Sequence, residues 1–248
     1  MTSNRFYISE VDTQSPYVFL EGEEHHHLSR VSRIQLKEEI WLIDGSGRSY
    51  LARVEEVEKE KTKLFILKEK GRKKIDTEIT LAQSLVKSKN MEFIIQKSAE
   101  LGIARFIPLM TSRSVVKIEE KIESKLGRWE RIAREAVKQS GNPWVPTISP
   151  PMDLKKLIKE RQARLKLLLS ENRGKYFRDI LTQTGKSFRK RPPSSIMILI
   201  GPEGGWTREE EDFILANGFE AVSLGKNILR TETAAICALA LISHFWIL

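Results

Sequence analysis

Cysteine is nearly missing from this chain of 248 residues: Cys237 stands alone. One thiol excludes a disulfide framework and any zinc site built from several cysteines, and it fits a reducing cytosol. Long apolar runs are missing as well. The most apolar stretch, Ala234 to Leu248, is too short to cross a bilayer and carries Ser243 and His244. The opening residues, MTSNRFYISE, lack the apolar core of a signal peptide. A soluble, cytoplasmic protein without membrane contact is expected. No internal repeat or low-complexity tract is visible.

Acidic residues are outnumbered, 33 against 42 lysines and arginines, which leaves a formal charge of +9. That balance is the footprint of a partner rich in phosphates. With 40% hydrophobic residues the chain can fill one large core or two smaller ones.

What is present divides into two textures. Over residues 1–70, short runs (Phe6 to Ile8, Tyr17 to Leu20, Ile40 to Ile43, Tyr50 to Val57, Lys63 to Leu67) alternate with turn material. Asp44-Gly45-Ser46-Gly47 predicts a hairpin, and strands this short and close predict a small barrel or sandwich. EKGRKK (Glu69 to Lys74) has no apolar anchor and reads as a linker, placed at residues 71–76. From residue 77 to 248 strands alternate with helices. Ile79 to Gln83, Phe106 to Leu109, Leu165 to Leu169, Ile196 to Ile200 and Glu220 to Ser223 are the strands; Asn90 to Leu101, Trp129 to Gln139 and Asp153 to Gln162 are helices. Apolar runs this continuous belong to strands buried on both faces, so an α/β domain with a largely parallel sheet is expected. Arg173 to Ser195, rich in cations, is expected to hold one short helix and a surface loop.

One strand end carries an unusual turn. IMILIGPEGGW (Ile196 to Trp206) sets three glycines where the ligand crevice of an α/β sheet lies, and Thr207 with Glu210 forms a capping box that opens a helix. The spacing is neither G-x-G-x-x-G nor G-x-x-x-x-G-K-[ST], and Glu203 repels a pyrophosphate, which disfavours a dinucleotide or an NTPase. A nucleoside-type ligand with a positive centre and no phosphate suits both the glycines and the carboxylate, and S-adenosylmethionine has that description. The plainer alternative is a tight turn with Glu203 facing water.

A second signal follows in LGKNILRTETAAICALALISHFW (Leu224 to Trp246). Thr231 opens a helix apolar on nearly every face, which must be buried against the sheet or another subunit. Arg230, Glu232 and Thr233 sit at its mouth, where an arginine is placed to hold an anion rather than to complement the dipole. The alternative is a surface ion pair between Arg230 and Glu232.

GPEGGW (Gly201 to Trp206) followed by LGKNILRTETA (Leu224 to Ala234) resembles the RsmE family of SPOUT methyltransferases. The resemblance extends to LVKSKNMEFIIQKSAELGI (Leu85 to Ile103), PLMTSRSVV (Pro108 to Val116), RWERIAREAVKQSG (Arg128 to Gly141) and EEHHHLSRVSRIQLKEEIWLIDGSG (Glu23 to Gly47), covering most of the chain. It implies a smaller N-terminal PUA-like RNA-binding β-barrel and a C-terminal SPOUT domain whose parallel sheet carries a trefoil knot. It implies S-adenosylmethionine in that knot, a homodimer with the active site between subunits, and methylation of N3 of a uridine in 16S ribosomal RNA. Another SPOUT activity, on tRNA or a ribose hydroxyl, and a non-catalytic RNA-binding protein are the alternatives. Two departures from the family pattern are Asn142, where an arginine commonly continues the QSG block, and Ser170-Glu171-Asn172 after Leu169.

By the same resemblance the cofactor pocket is lined by Leu169, Ile200, Gly201, Pro202, Glu203, Gly204, Gly205, Leu224, Gly225, Ile228, Leu229, Thr231, Thr233 and Ala234. Arg230 is the candidate for anion stabilisation or phosphate positioning, and Glu232 for proton removal. Lys87 and Lys89, together with Arg5, Arg30 and Arg33, are candidate RNA contacts, as are Lys186, Arg189, Lys190 and Arg191 of the basic loop. Tyr7 and Trp206 can stack on a base or serve as core. Glu92, Gln96 and Glu100 read as a solvated helix face. His25, His26 and His27 point in different directions and lack a second histidine at ligand spacing, so no metal is expected. Cys237, in an apolar helix, is expected to be an inert packed thiol.

Overall fold

The computed structural model describes residues 4–9, 11, 14–71, 77–114, 122–187 and 192–246. Beyond Gly71 the expected linker lies outside them, as do Arg189, Lys190, Arg191 and the Lys186 side chain. The chain forms two compact units, Met1–Lys74 with Arg134–Val145, and Ile75–Ala133 with Pro146–Leu248.

In the first unit, β1 (Arg5–Tyr7), β2 (Tyr17–Glu21), β3 (Glu39–Ile43), β4 (Arg48–Val57) and β5 (Lys61–Gly71) form one sheet in the order β1-β3-β4-β5-β2. Only β1 beside β3 is parallel. Alternation assigns the faces: Val18 and Leu20 are buried with Ile40, Leu42, Ala52, Val54 and Leu64, while Tyr17 and Phe19 face outward. Two register shifts between β4 and β5 bend the sheet into a half-barrel.

The expected hairpin joins β3 to β4. Asp44 Oδ1 accepts from the N–H of Ser46 at 2.8 Å and of Arg48 at 3.2 Å. Gly47 has φ +101°, and a Cβ there would stand 2.1 Å from the Trp144 ring, so no other residue fits. Trp144 belongs to the later segment of this unit, in which Asn142 Oδ1 accepts from Trp144 N–H at 3.2 Å. Asn142 thus shapes a turn.

The sequence reading missed α1 (Gly22–His26), which continues as a π turn over His27–Val31. The histidine run lies there. His25 is buried with one ring nitrogen 2.8 Å from Thr62 Oγ1 and the other 3.2 Å from the Lys59 carbonyl, and His27 packs its ring on Phe6. Both His25 nitrogens are therefore engaged within the barrel.

The second unit is built on parallel strands throughout: β6 (Glu78–Ser84), β7 (Arg105–Met110), β8 (Thr147–Ile148), β9 (Met152–Asp153), β10 (Leu165–Leu169), β11 (Lys175–Tyr176), β12 (Ser195–Ile200) and β13 (Glu220–Ser223). The order is β11-β13-β10-β12-β6-β7-β8, with β9 also on β7. Helices α2 (Ser88–Glu100), α4 (Leu154–Glu160), α5 (Phe177–Ser187), α6 (Arg208–Ala216) and α7 (Thr231–Trp246) belong to it. Helix α3 (Ile122–Ser140) crosses the division between the units. This is the expected α/β architecture.

Two boundaries differ from expectation. Asp153 caps α4 by accepting from the N–H of Lys155 and Lys156, and Arg161 is already extended, so the helix is shorter than Asp153 to Gln162. The cationic stretch after Arg173 holds the short strand β11 as well as α5, which is anchored by buried Phe177, Ile180 and Leu181. Among the described residues no helix is long and apolar enough to cross a membrane.

Candidate functional site

The three strands β13, β10 and β12 lie side by side and parallel. Their carboxyl ends therefore bring three turns together: residues 170–174, 201–207 and 224–230. Between them opens a cleft of about 560 Å³, a size that suits a small molecule.

The turn after β12 is fixed from below and from behind. Trp206 is buried and its Nε1 donates to the Leu169 carbonyl at 3.0 Å, which ties the glycine turn to the end of β10. Of the two readings of this indole, base stacking and core, its burial and this bond favour core. Gly205, at φ +67°, closes the turn through its N–H to the Pro202 carbonyl at 2.9 Å. Thr207 and Glu210 then make both hydrogen bonds of the capping box.

The turn after β13 is clasped to the first one by Thr231. Its hydroxyl donates to the Gly201 carbonyl at 2.7 Å and accepts from Gln83 Nε2 at 3.0 Å. Gln83 is fully buried at the carboxyl end of β6, and its Oε1 has no hydrogen-bond partner among the described residues. Two loops thirty positions apart in sequence are thus locked by one hydroxyl.

Further contacts of the site gave no signal in the sequence. Arg113 Nη1 donates to the carbonyls of Gly204 at 2.8 Å and Trp206 at 3.3 Å. Glu210 uses its second oxygen to accept from Ser112 N–H at 2.7 Å, so the capping carboxylate also holds the segment after β7. Ser170 Oγ donates to Glu211 at 2.6 Å and accepts from the N–H of Asn172 and Arg173. Arg173 in turn meets Asp212 at 2.6 Å, and that carboxylate holds its guanidinium above the usual range. Ser170-Glu171-Asn172 is therefore a turn pinned to α6. Apart from the two bonds within the 170–173 turn, these contacts span 39 to 98 positions, which no local pattern encodes.

Every residue expected at the cofactor pocket lines the cleft except Thr233. Ile228 is 78% exposed at its mouth. Arg230, Glu232 and Lys87 line the cleft, whereas Lys89 does not. The surface ion pair between Arg230 and Glu232 is not formed: Arg230 has no carboxylate partner among the described residues. Arg30 and Arg33 are exposed on the first unit, and the Arg5 guanidinium packs against Gly141. Tyr7 lies under the Arg134 guanidinium, 5.6 Å from its ring centroid.

The lining carries Lys87, Arg113, Lys226 and Arg230 against Glu171, Glu203, Glu211 and Glu232. Glu211 is occupied by Ser170 and Arg173, which leaves three carboxylates with no ion-pair partner among the described residues. A mixed lining of this kind suits a ligand that is both zwitterionic and cationic, and its glycine-bearing turns let backbone approach a nucleoside closely. S-adenosylmethionine, with ammonium, carboxylate and sulfonium, fits that donor set.

Two domain families match the sequence: an RNA methyltransferase domain over residues 72–243 and an RNA methyltransferase PUA domain over residues 20–67. The chain is similar to the ribosomal RNA small subunit methyltransferase E of Aquifex aeolicus, 32% identical over 240 residues that cover 96% of this chain and 99% of that one. It is similar to the Bacillus subtilis protein of the same name, 30% identical with coverages of 93% and 91%. Among solved structures it is similar to the ribosomal RNA small subunit methyltransferase E of Neisseria gonorrhoeae bound to S-adenosyl methionine, with TM-score 0.88, 34% identity and 98% of each chain covered.

Proposed function

Because the chain belongs to the RsmE family of RNA methyltransferases, we propose that it methylates N3 of a uridine in 16S ribosomal RNA, using S-adenosylmethionine. The observation that carries this reading is the single cleft made by GPEGGW and LGKNILRTETA, with Thr231 joining them. Bound there, S-adenosylmethionine supplies a methyl group already activated on a sulfonium.

The residues of the chain have three tasks. The turns 201–205 and 224–229 hold the nucleoside, with Leu169 and Ile200 beneath them. Arg230, free of any carboxylate partner among the described residues, stabilises the negative charge that develops on the uracil imide. Glu232, on the first turn of α7, takes the N3 proton, so that the nitrogen gains the methyl as it loses the proton. Lys87 at the rim holds an RNA phosphate.

The same reading includes a homodimer in the cytoplasm and a chain crossing at the clasped loops that forms a knot. Helices α2 and α7 pack together and leave Phe93, Leu241 and Phe245 more than 40% exposed, an apolar face that supports pairing with a second copy. The deciding experiment is mass spectrometry of 16S ribosomal RNA from cells lacking the gene. Loss of one N3-methyluridine is expected, and its persistence removes the assignment.

A further inference from the structure

The outer face of the barrel sheet carries aromatic rings where a half-solvated antiparallel sheet ordinarily carries polar side chains. Tyr17 is 40% and Phe19 44% exposed, alternating with buried Val18 and Leu20. The register sets Tyr17 opposite Phe65, Phe19 opposite Lys63, and Arg53 opposite Phe65, so these side chains share one face of β2, β5 and β4. The rings of Tyr17 and Phe65 meet edge to face at 5.3 Å. None of the three rings belongs to the barrel's core cluster, so filling the core does not account for them.

Each ring has its own cation. Lys63 Nζ lies 4.4 Å from the centroid of Tyr17, Lys61 Nζ 4.9 Å from Phe19, and the Arg53 guanidinium 5.7 Å from Phe65. Arg53 also meets Glu55 at 2.7 Å and Lys61 meets Glu58 at 3.7 Å, whereas Lys63 has no carboxylate partner among the described residues. Two exposed rings and the half-buried Phe65, each beside a positive charge, fit a single strand whose bases lie on the rings and whose phosphates meet the cations.

We propose that this stripe is a docking surface for single-stranded RNA, with bases on Tyr17 and Phe19 and phosphates on Lys61, Lys63 and Arg53. The inference rests on the reading of the chain as an RNA methyltransferase, and none of its residues lines the cleft. Residues two apart on a strand are separated by about 6.7 Å, twice the rise of a stacked nucleic-acid strand, so the two rings take splayed and not mutually stacked bases. As a base takes the ring, the ammonium above it turns to the neighbouring phosphate. RNA engages rings and cations together, whereas an acidic peptide engages only the cations.

The test is fluorescence anisotropy of a labelled single-stranded 16S fragment against the full chain, over a range of salt. The doubly substituted chain Tyr17→Leu, Phe19→Leu keeps apolar area and removes the π-faces; its affinity is expected to fall about tenfold or more, with the salt slope unchanged. Lys63→Gln, on an exposed side chain, is expected to shrink the slope by about 0.7, one phosphate's worth. Chemical denaturation of both variants is expected to match the parent and reports an intact barrel, and unchanged S-adenosylmethionine uptake reports the other unit. Unchanged RNA affinity in the double variant, with parent binding intact, overturns the docking surface alone. Failure of the parent to bind RNA overturns the methyltransferase reading as well. Parent-like RNA affinity with lost binding to whole small subunits assigns the stripe to a protein and also overturns it.

Discussion

Thr231 donates its hydroxyl proton to the Gly201 carbonyl at 2.7 Å, and this one bond joins the two loops that make the cleft. Gln83 Nε2 approaches the same hydroxyl at 3.0 Å. Thr231→Val keeps the shape and removes both bonds, leaving the Gly201 carbonyl only the long approach of Gln83 Nε2 at 3.5 Å, while that amide keeps the Ser84 carbonyl at 3.0 Å. A loss of about 2 kcal/mol follows, or about thirtyfold in affinity for S-adenosylmethionine. Isothermal titration should show it, and Thr231→Ser should restore most of the binding. A valine variant that binds like the parent disproves the clasp.

Gly201→Val tests the same turn by steric means. A Cβ at this position would meet Trp206 Nε1 at 3.0 Å and its ring carbons at 3.2 and 3.3 Å. The indole cannot retreat without giving up its bond to the Leu169 carbonyl. Affinity for S-adenosylmethionine is expected to fall by an order of magnitude or more, about 1.4 kcal/mol per tenfold. Unaltered calorimetric titration rules out this placement of the cofactor.

Arg230→Gln separates binding from chemistry. The arginine lines the cleft without a carboxylate partner among the described residues, so its charge is available to a developing anion. Methyl transfer is expected to drop by about 10² to 10³ at saturating cofactor, while cofactor affinity holds. A variant with parental kcat takes the anion-stabilising role away from this residue.

The sheet and the two turns that line the cleft were legible because their signals are local. β13 and the start of α7 fall on the residues expected, since Gly218 and Thr231 punctuate them and Ala221 and Val222 form the apolar centre of the strand. α1 was not legible: GEEHH is too short and polar for a helical period to register, and a π turn follows it. Nor could a pattern show that Arg134–Val145 clusters with the barrel, because the amphipathic period of α3 runs unbroken across the division. Arg113 and the second bond of Glu210 went unseen for a related reason. Their partners lie more than ninety positions away, where only the folded chain selects them.

Glu55 gives the barrel a defined acid sensitivity. Hydrogen bonds from Lys37 and then Arg53 hold its carboxyl below the ordinary value of 4.5. A depressed folded-state pKa means that the unfolded chain binds the proton more readily, so the contribution is complete above about 4.5 and is lost as pH falls through the folded value. Urea midpoints of the parent and Glu55→Gln should therefore differ at pH 7 and draw together as pH is lowered below 4.5. A constant gap across that range excludes the linkage.

Lys138 is the one lysine or arginine buried among the described residues. Its side chain is only 5% exposed, and Nζ meets Glu24 and Glu135 at 2.7 Å each. The other oxygen of Glu24 accepts from Tyr7 N–H at 3.1 Å, so one lysine fixes α1, β1 and the end of α3 together. Lys138→Met strands the Glu24 carboxylate in a largely buried place and should cost about 3 kcal/mol. Adding Glu24→Gln removes that stranded charge while keeping an acceptor for Tyr7, and the double variant should recover part of the loss. Chemical denaturation of the four-member cycle measures the coupling. Additive losses would mean that the two charges stabilise the unit independently and that the buried pair is not the link between these elements.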